Sequence, residues 1–160
     1  MSVLYYCPVY TENWEDWTEV AYFEQRKEIV KKKVGKVHQM MLARYATNTE
    51  LQRIRLAWFE QEVKANLKSG RKGILFLHET CTLIPIKIRE KEFAHDSVLG
   101  YFFYEQISTV YRNEEGYAVV YFKNGEKFVT RQQYRSVREQ YELVECWKDY
   151  FWQKLSLQNK

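Results

Sequence analysis

The chain has 160 residues, of which 46% are hydrophobic and 17% aromatic, and its formal net charge is +4. Such a composition can build an apolar core, which excludes a disordered chain, and no apolar run approaches the roughly 20 residues of a membrane helix. Because the N-terminus lacks a basic, apolar leader and three cysteines are too few for a disulfide framework, we expect a cytoplasmic protein with free thiols.

The charges are unevenly distributed along the chain. Residues 1–25 contain five acidic side chains and no Lys or Arg, whereas residues 26–44 contain seven basic residues and one acidic residue. Residues 64–73 contain four basic residues and no acidic one, and residues 123–138 contain five basic residues and one acidic residue. Basic segments form a nucleic-acid footprint if they fold onto one face, and are otherwise ordinary solvated surface.

The first half of the sequence predicts helices. Thr11, followed by several acidic residues, is typical of a helix N-terminus. A later apolar stripe has the spacing of one helical face and comprises Val34, Val37, Met41 and Tyr45. The helical pattern resumes after residue 47, and Gly70 is expected just past its end. We therefore predict a helical N-terminal region over residues 1–67.

The second half predicts an antiparallel sheet with C-terminal helices over residues 68–160. Short β-like runs follow residue 74, and Asn124-Gly125 predicts a two-residue hairpin with a type I′ turn. Residues 131–141 and 147–157 have helical patterns. The predicted fold class is α+β: a helical N-terminal half followed by an antiparallel β-sheet with C-terminal helices, the two regions forming one compact unit.

Motifs for enzyme chemistry are weak in this sequence. His78 and Cys81 form an H-x-x-C pair, but zinc needs more ligands than this pair and the distant His95 supply, so both are expected to pack in or beside a strand. Neither a nucleophile motif nor a pair of convergent carboxylates is present. We expect a protein that is not an enzyme and has no catalytic residue, metal or cofactor. The aromatic run 101–104 can stack on bases, although such runs more often form core.

A set of residues in the second half resembles a known regulator family. In chain order the set is Gly70-Arg71, Pro85-Ile86, Phe102-Phe103, Ser108, Val120, Phe122, Asn124-Gly125, Tyr134-x-Ser136 and Gln140. Over about residues 68–150 it is similar to the competence transcription factors, the ComK-type activators of low-GC Gram-positive bacteria. A fainter similarity is to LytTR DNA-binding domains. The resemblance implies a bacterial transcription activator that binds AT-rich DNA as an oligomer.

We therefore expect a cytoplasmic DNA-binding regulator of transcription with double-stranded DNA as its partner. Its predicted DNA-binding residues are Arg71, Lys72, Lys123, Lys127, Arg131, Arg135 and Arg138. The last three have i, i+4, i+7 spacing, which predicts one helical face over the phosphates. The alternative is a non-enzymatic protein-interaction module or inhibitor, regulatory or phage-borne. A homo-oligomer and a protein regulator are further possible partners, and no membrane is expected.

Overall fold

The computed structural model describes residues 2–45, 61, 74–78, 80–93 and 96–158. These residues form nine strands, two α-helices and one 3₁₀-helix. The strands are β1 (Val3–Tyr10), β2 (Asp16–Tyr22), β3 (Arg26–Val30), β4 (Leu75–His78), β5 (Cys81–Lys87), β6 (Leu99–Phe103), β7 (Ile107–Arg112), β8 (Tyr117–Phe122) and β9 (Lys127–Gln133). The helices are α1 (Val34–Tyr45), the 3₁₀-helix (Tyr104–Gln106) and α2 (Tyr134–Gln158).

Two antiparallel sheets organise the described residues. One has six strands in the order β3-β2-β1-β6-β5-β4, and the other has three in the order β7-β8-β9. The pairing of β1 with β6 joins strands that are far apart in the chain into one sheet. No helix in the described part of the chain is long and apolar enough to cross a membrane.

The predicted helical N-terminal half is wrong, because the chain begins with three strands and the short α1 follows them. β1 is a run of aromatic and β-branched residues that fits a pleated, buried position. Thr11 does not cap a helix; its side-chain Oγ1 accepts the Glu15 N–H at 3.1 Å within a turn. The apolar stripe predicted as helical does lie on α1, where Val34, Val37 and Met41 are buried.

Four hairpins share one turn feature, a residue with positive φ shortly before the second strand. Gly116 and Gly125 take this position at φ +91° and +90°, and Trp14 and Gln25 take it at 60° and 61°. The predicted hairpin at Asn124-Gly125 is confirmed, but its turn is not type I′, since only the glycine has positive φ. It is instead a turn that ends in a single left-handed residue.

The C-terminal region differs from the prediction in its boundaries. Arg131 belongs to β9, and the helix begins at Tyr134 and continues as one element to Gln158, so the two helical patterns of the sequence belong to a single helix. α2 is fixed to the sheets by buried polar contacts as well as apolar ones. The Gln140 side-chain amide donates to the Pro85 carbonyl oxygen at 2.8 Å, and Lys148 pairs with the Glu105 carboxylate at 2.5 Å.

Each face of the six-stranded sheet supports its own apolar layer. On one face Tyr5 and Phe102 contact the three-stranded sheet and α2, through Phe122 and Val137 among others. On the other face the buried residues of α1 pack with Val3, Tyr6, Val20 and Phe103. The central sheet is thus covered on both sides, which explains the nearly continuous burial of β1 and β5.

The shared turn feature predicts opposite effects of two substitutions. A non-glycine residue in the left-handed region costs roughly 1–2 kcal/mol, so we expect Gln25→Gly to raise the free energy of unfolding by about 1 kcal/mol. Gly125→Ala should lower it by about 1–2 kcal/mol, although a Cβ there meets nothing within 4 Å. Urea titration of both variants measures the two changes. Equal effects of the same sign would contradict a backbone origin.

His38 joins α1 to the central sheet. Its Nδ1 lies 2.6 Å from the Tyr6 hydroxyl oxygen, and its ring stacks on Tyr101 with centroids 3.9 Å apart. Burial lowers the pKa of His38 from its ordinary value of 6.5. The folded protein therefore binds the proton more weakly than the unfolded chain does.

This linkage predicts a loss of stability in mild acid. As the pH falls below about 6.5, the unfolded chain takes up the proton first, so the free energy of unfolding should decrease towards the lowered folded-state pKa. His38→Gln should flatten this part of the pH profile measured by thermal unfolding. The exposed His78→Gln is the matched control and should retain the wild-type slope; an unchanged slope in His38→Gln would refute the linkage.

Candidate nucleic-acid interface

The three-stranded sheet has one packed face and one open face. Side chains alternate along β8, so Ala118, Val120 and Phe122 face the core while the residues between them point away from it. We call the outward side the outer face, and its positions are Thr109, Tyr111, Tyr117, Val119, Tyr121, Lys127, Val129, Arg131 and Gln133. Tyr111 and Val129 are 57% and 53% exposed, whereas Val119 at the centre is buried and Tyr117 and Tyr121 are half-buried. In the part of the chain that the structure describes, this face is therefore open to solvent along its two edge strands.

The centre of the outer face is apolar and aromatic. Strand pairing sets Tyr111, Val119 and Val129 in one row across the three strands. In the next row Tyr121 lies between Thr109 and Lys127, and its ring meets the Tyr111 ring edge to face with centroids 5.2 Å apart. Cross-strand aromatic and β-branched pairs of this kind stabilise a sheet while leaving ring surface available for a ligand.

Cations border this aromatic centre. Lys127 and Arg131 lie on the edge strand β9 and are both exposed. The Arg131 guanidinium carbon is 5.5 Å from the centroid of the Tyr117 ring, which positions its charge beside the aromatic surface. The outer-face positions include no acidic residue, so the face combines positive charge with exposed rings.

The structure divides the predicted DNA-binding residues among several places. Lys127 and Arg131 share the outer face, and Lys123 lies in the adjacent β8–β9 turn. Arg135 and Arg138 lie instead on α2, where they pair with Glu139 and Glu142 at 3.5 and 3.0 Å. Because Arg131 belongs to a strand, the predicted single helical face of three arginines is wrong. Arg71 and Lys72 lie outside the described residues.

The helical part of the basic segment of residues 26–44 does not extend the outer face. The segment comprises β3 and α1, and α1 packs on the opposite side of the six-stranded sheet from the three-stranded one. The cations of α1 are therefore not continuous with the outer face. The β2–β3 turn just before Arg26, by contrast, meets the β8–β9 turn through the hydrogen bond from Asn124 to the Phe23 carbonyl oxygen.

The exposed aromatic residues lie in different strands from the run that the sequence singles out. Phe102 and Phe103 of the aromatic run 101–104 are buried core residues, as the commoner alternative predicted. The outer-face tyrosines lie further along the chain at Tyr111, Tyr117 and Tyr121. Strand pairing, and not the sequence of β8, places them outward, because β8 is apolar throughout and Val119 is buried as well as the inner residues.

The expectation that His78 and Cys81 pack in or beside a strand holds for Cys81 alone, since His78 is exposed at the end of β4. Cys81 is buried and pairs with His78 across the β4–β5 hairpin, and the His78 ring nitrogen Nδ1 lies 3.3 Å from the Thr80 hydroxyl oxygen. Burial raises the pKa of the Cys81 thiol to about 12, so it is protonated at neutral pH. No group of three or more potential metal ligands occurs within the described ranges, and His95 lies outside them.

The chain was compared with protein-family models, with curated proteins and with solved structures. None of the three comparisons finds a match.

Proposed function

We propose that this protein is a cytoplasmic regulator that binds double-stranded DNA through the outer face of its three-stranded sheet. The observation that supports the proposal most directly is the composition of that face, which joins Lys127 and Arg131 to the exposed Tyr111 and two half-buried tyrosines and includes no acidic residue. The resemblance to ComK-type activators supports the same class of function and suggests AT-rich sites.

The two cations have a spacing suited to a groove of the duplex. Lys127 and Arg131 are four positions apart along β9, whose register against β8 shifts between Val129 and Gln133. Their Cα atoms are therefore at most about 14 Å apart, on the scale of the roughly 12 Å width of the major groove. The side chains can therefore reach phosphates on both sides of it, and each neutralised phosphate releases counterions. Tyr111 and Val129, between and beside these cations, would then contact sugars and base edges.

A protein-interaction module is the second candidate function. The row of Tyr111, Val119 and Val129 is apolar, and exposed apolar sheet surface also occurs at protein interfaces. The two candidates differ in their dependence on salt. Phosphate contacts weaken steeply as salt rises, whereas an apolar contact changes little.

Substitution of the two outer-face cations tests the proposal. We expect Lys127→Gln/Arg131→Gln to weaken binding of an AT-rich duplex by about tenfold to a hundredfold at about 50 mM salt, measured by fluorescence anisotropy. The slope of log affinity against log salt should fall by about two, because two phosphates are no longer neutralised by the protein.

The matched control also removes two positive charges, but from α2. Arg135→Gln/Arg138→Gln should leave the salt slope nearly unchanged, because both arginines already pair with glutamates of the same helix. Equal decreases in affinity in the two double variants would contradict the assignment of the outer face. Tighter binding of the matching single strand than of the duplex would contradict the duplex proposal, and salt-independent binding would contradict phosphate contact.

A further inference from the structure

Three aromatic rings meet at the end of the six-stranded sheet where β1 ends. Tyr10 is the last residue of β1, Trp14 lies in the β1–β2 turn, and Phe93 lies in the β5–β6 loop. The ring centroids are 5.5 Å apart for Tyr10 and Trp14, and 6.4 Å apart for Phe93 with each of the others. Trp14 is 63% exposed and Phe93 is 57% exposed, so two large rings of this aromatic cluster face solvent.

Hydrogen bonds hold the cluster in place. The Tyr10 hydroxyl donates to the Asp96 carboxylate, whose Oδ2 also accepts the N–H groups of Glu92 and Phe93 at 3.0 and 2.7 Å. This arrangement ties the loop that carries Phe93 to the end of β1. The hydrogen bond from Tyr10 lowers the pKa of the Asp96 carboxyl, which keeps it ionised at neutral pH as an acceptor.

The backbone at Trp14 has the positive φ that four hairpin turns of this chain share. Its φ of 60° lies in the left-handed region, where Gly116 and Gly125 stand in two corresponding turns of this chain. A bulky side chain is uncommon in that region, and here the turn presents the Trp14 ring to solvent.

The surroundings of the cluster are acidic. Glu12, Glu15 and Glu92 are exposed neighbours of Trp14 and Phe93 in the chain, and Asp16 is already paired with Arg89 at 2.8 Å. Lys91 is an exposed cation in the same loop as Phe93, but acidic residues outnumber basic ones in the two segments that carry the cluster. The Arg89 guanidinium carbon lies 4.0 Å from the Tyr10 ring centroid. The molecule therefore already holds one guanidinium between an aromatic ring and a carboxylate at this site.

We infer that the aromatic cluster is a docking site for a basic segment of a partner protein. An arginine or lysine of that segment would stack on the exposed ring of Trp14 or Phe93, as Arg89 of this chain does on Tyr10. Other basic residues of the segment would pair with the carboxylates of Glu12 and Glu15. The negative charge disfavours nucleic acid here. The site is thus separate from the outer face, and the inference stands independently of the proposed function.

Labelled peptides of defined composition test the inference on the full chain. Fluorescence anisotropy would compare a peptide of alternating Arg and Gly with one of alternating Glu and Gly. We expect the arginine peptide to bind and the glutamate peptide not to bind. Trp14→Gly should weaken binding about tenfold, since glycine accepts the backbone geometry while the ring is removed. Thermal unfolding would confirm that this variant is folded.

Two further variants separate the contributions of ring and charge. Glu12→Gln/Glu15→Gln should weaken binding about fivefold at low salt and less at about 0.5 M salt, because exposed ion pairs are screened. Phe23→Ser is the matched control, since Phe23 is an exposed aromatic residue in another turn, and binding should change by less than about twofold.

Three results would contradict a docking site for a basic segment. Wild-type affinity in Trp14→Gly would overturn the inference, as would equal decreases in Trp14→Gly and Phe23→Ser. Sedimentation velocity tests a second copy of this chain as the occupant. Self-association of the wild type that Trp14→Gly abolishes would replace the basic partner segment with a homo-oligomer contact.

Discussion

The pairing of β1 with β6 is the interaction on which the rest of the structure depends. Its two rungs join Tyr5 to Phe102 and Tyr6 to Tyr101, and neighbouring residues of a strand point to opposite faces. Each rung therefore places an aromatic pair in one of the two apolar layers, with centroids 5.4 and 5.2 Å apart. Stacked rings at these distances contribute beyond the area they bury. Loss of this pairing would separate the sheet into two halves and remove the support of both α1 and the three-stranded sheet.

The proposed DNA interface is positioned by the same aromatic contacts. The Tyr5 ring lies 5.6 Å from Phe122 and 4.9 Å from Phe128, which belong to the inner side of β8 and β9. Because the strands alternate, fixing these inner residues also fixes the plane of the outer face. The tip of the β8–β9 hairpin is held as well, since the Asn124 side-chain amide donates to the Phe23 carbonyl oxygen at 3.0 Å. A surface supported in this way meets a ligand with little reorganisation.

Sequence patterns correctly predict some features that depend on residues close together in the chain. The apolar spacing of α1 and the Asn124-Gly125 hairpin depend on residues that are close together in the chain, and the structure contains both. The N-terminal hairpins escape prediction because Trp14 and Gln25 occupy turn positions that glycine usually marks, so the strands on either side have no visible boundary. The outer face could not be predicted from the sequence for a different reason. A helical spacing links Arg131 to the arginines that follow, and only the pairing of β9 with β8 shows that its charge lies beside Tyr117.

The strand order also has a consequence for the kinetics of folding. Every neighbouring pair in the three-stranded sheet comes from adjacent strands of the chain, so β7 to β9 can form as local hairpins. Tyr5 and Phe102, by contrast, must meet across more than half of the chain before the central sheet exists. Closing such a large loop costs entropy before any contact compensates for it, and folding rates fall as contacts become less local. During synthesis β1 to β3 leave the ribosome long before their partner β6. Although α1 follows directly and can cover one face of this N-terminal hairpin unit, the other face stays uncovered until β6 and the three-stranded sheet have been made.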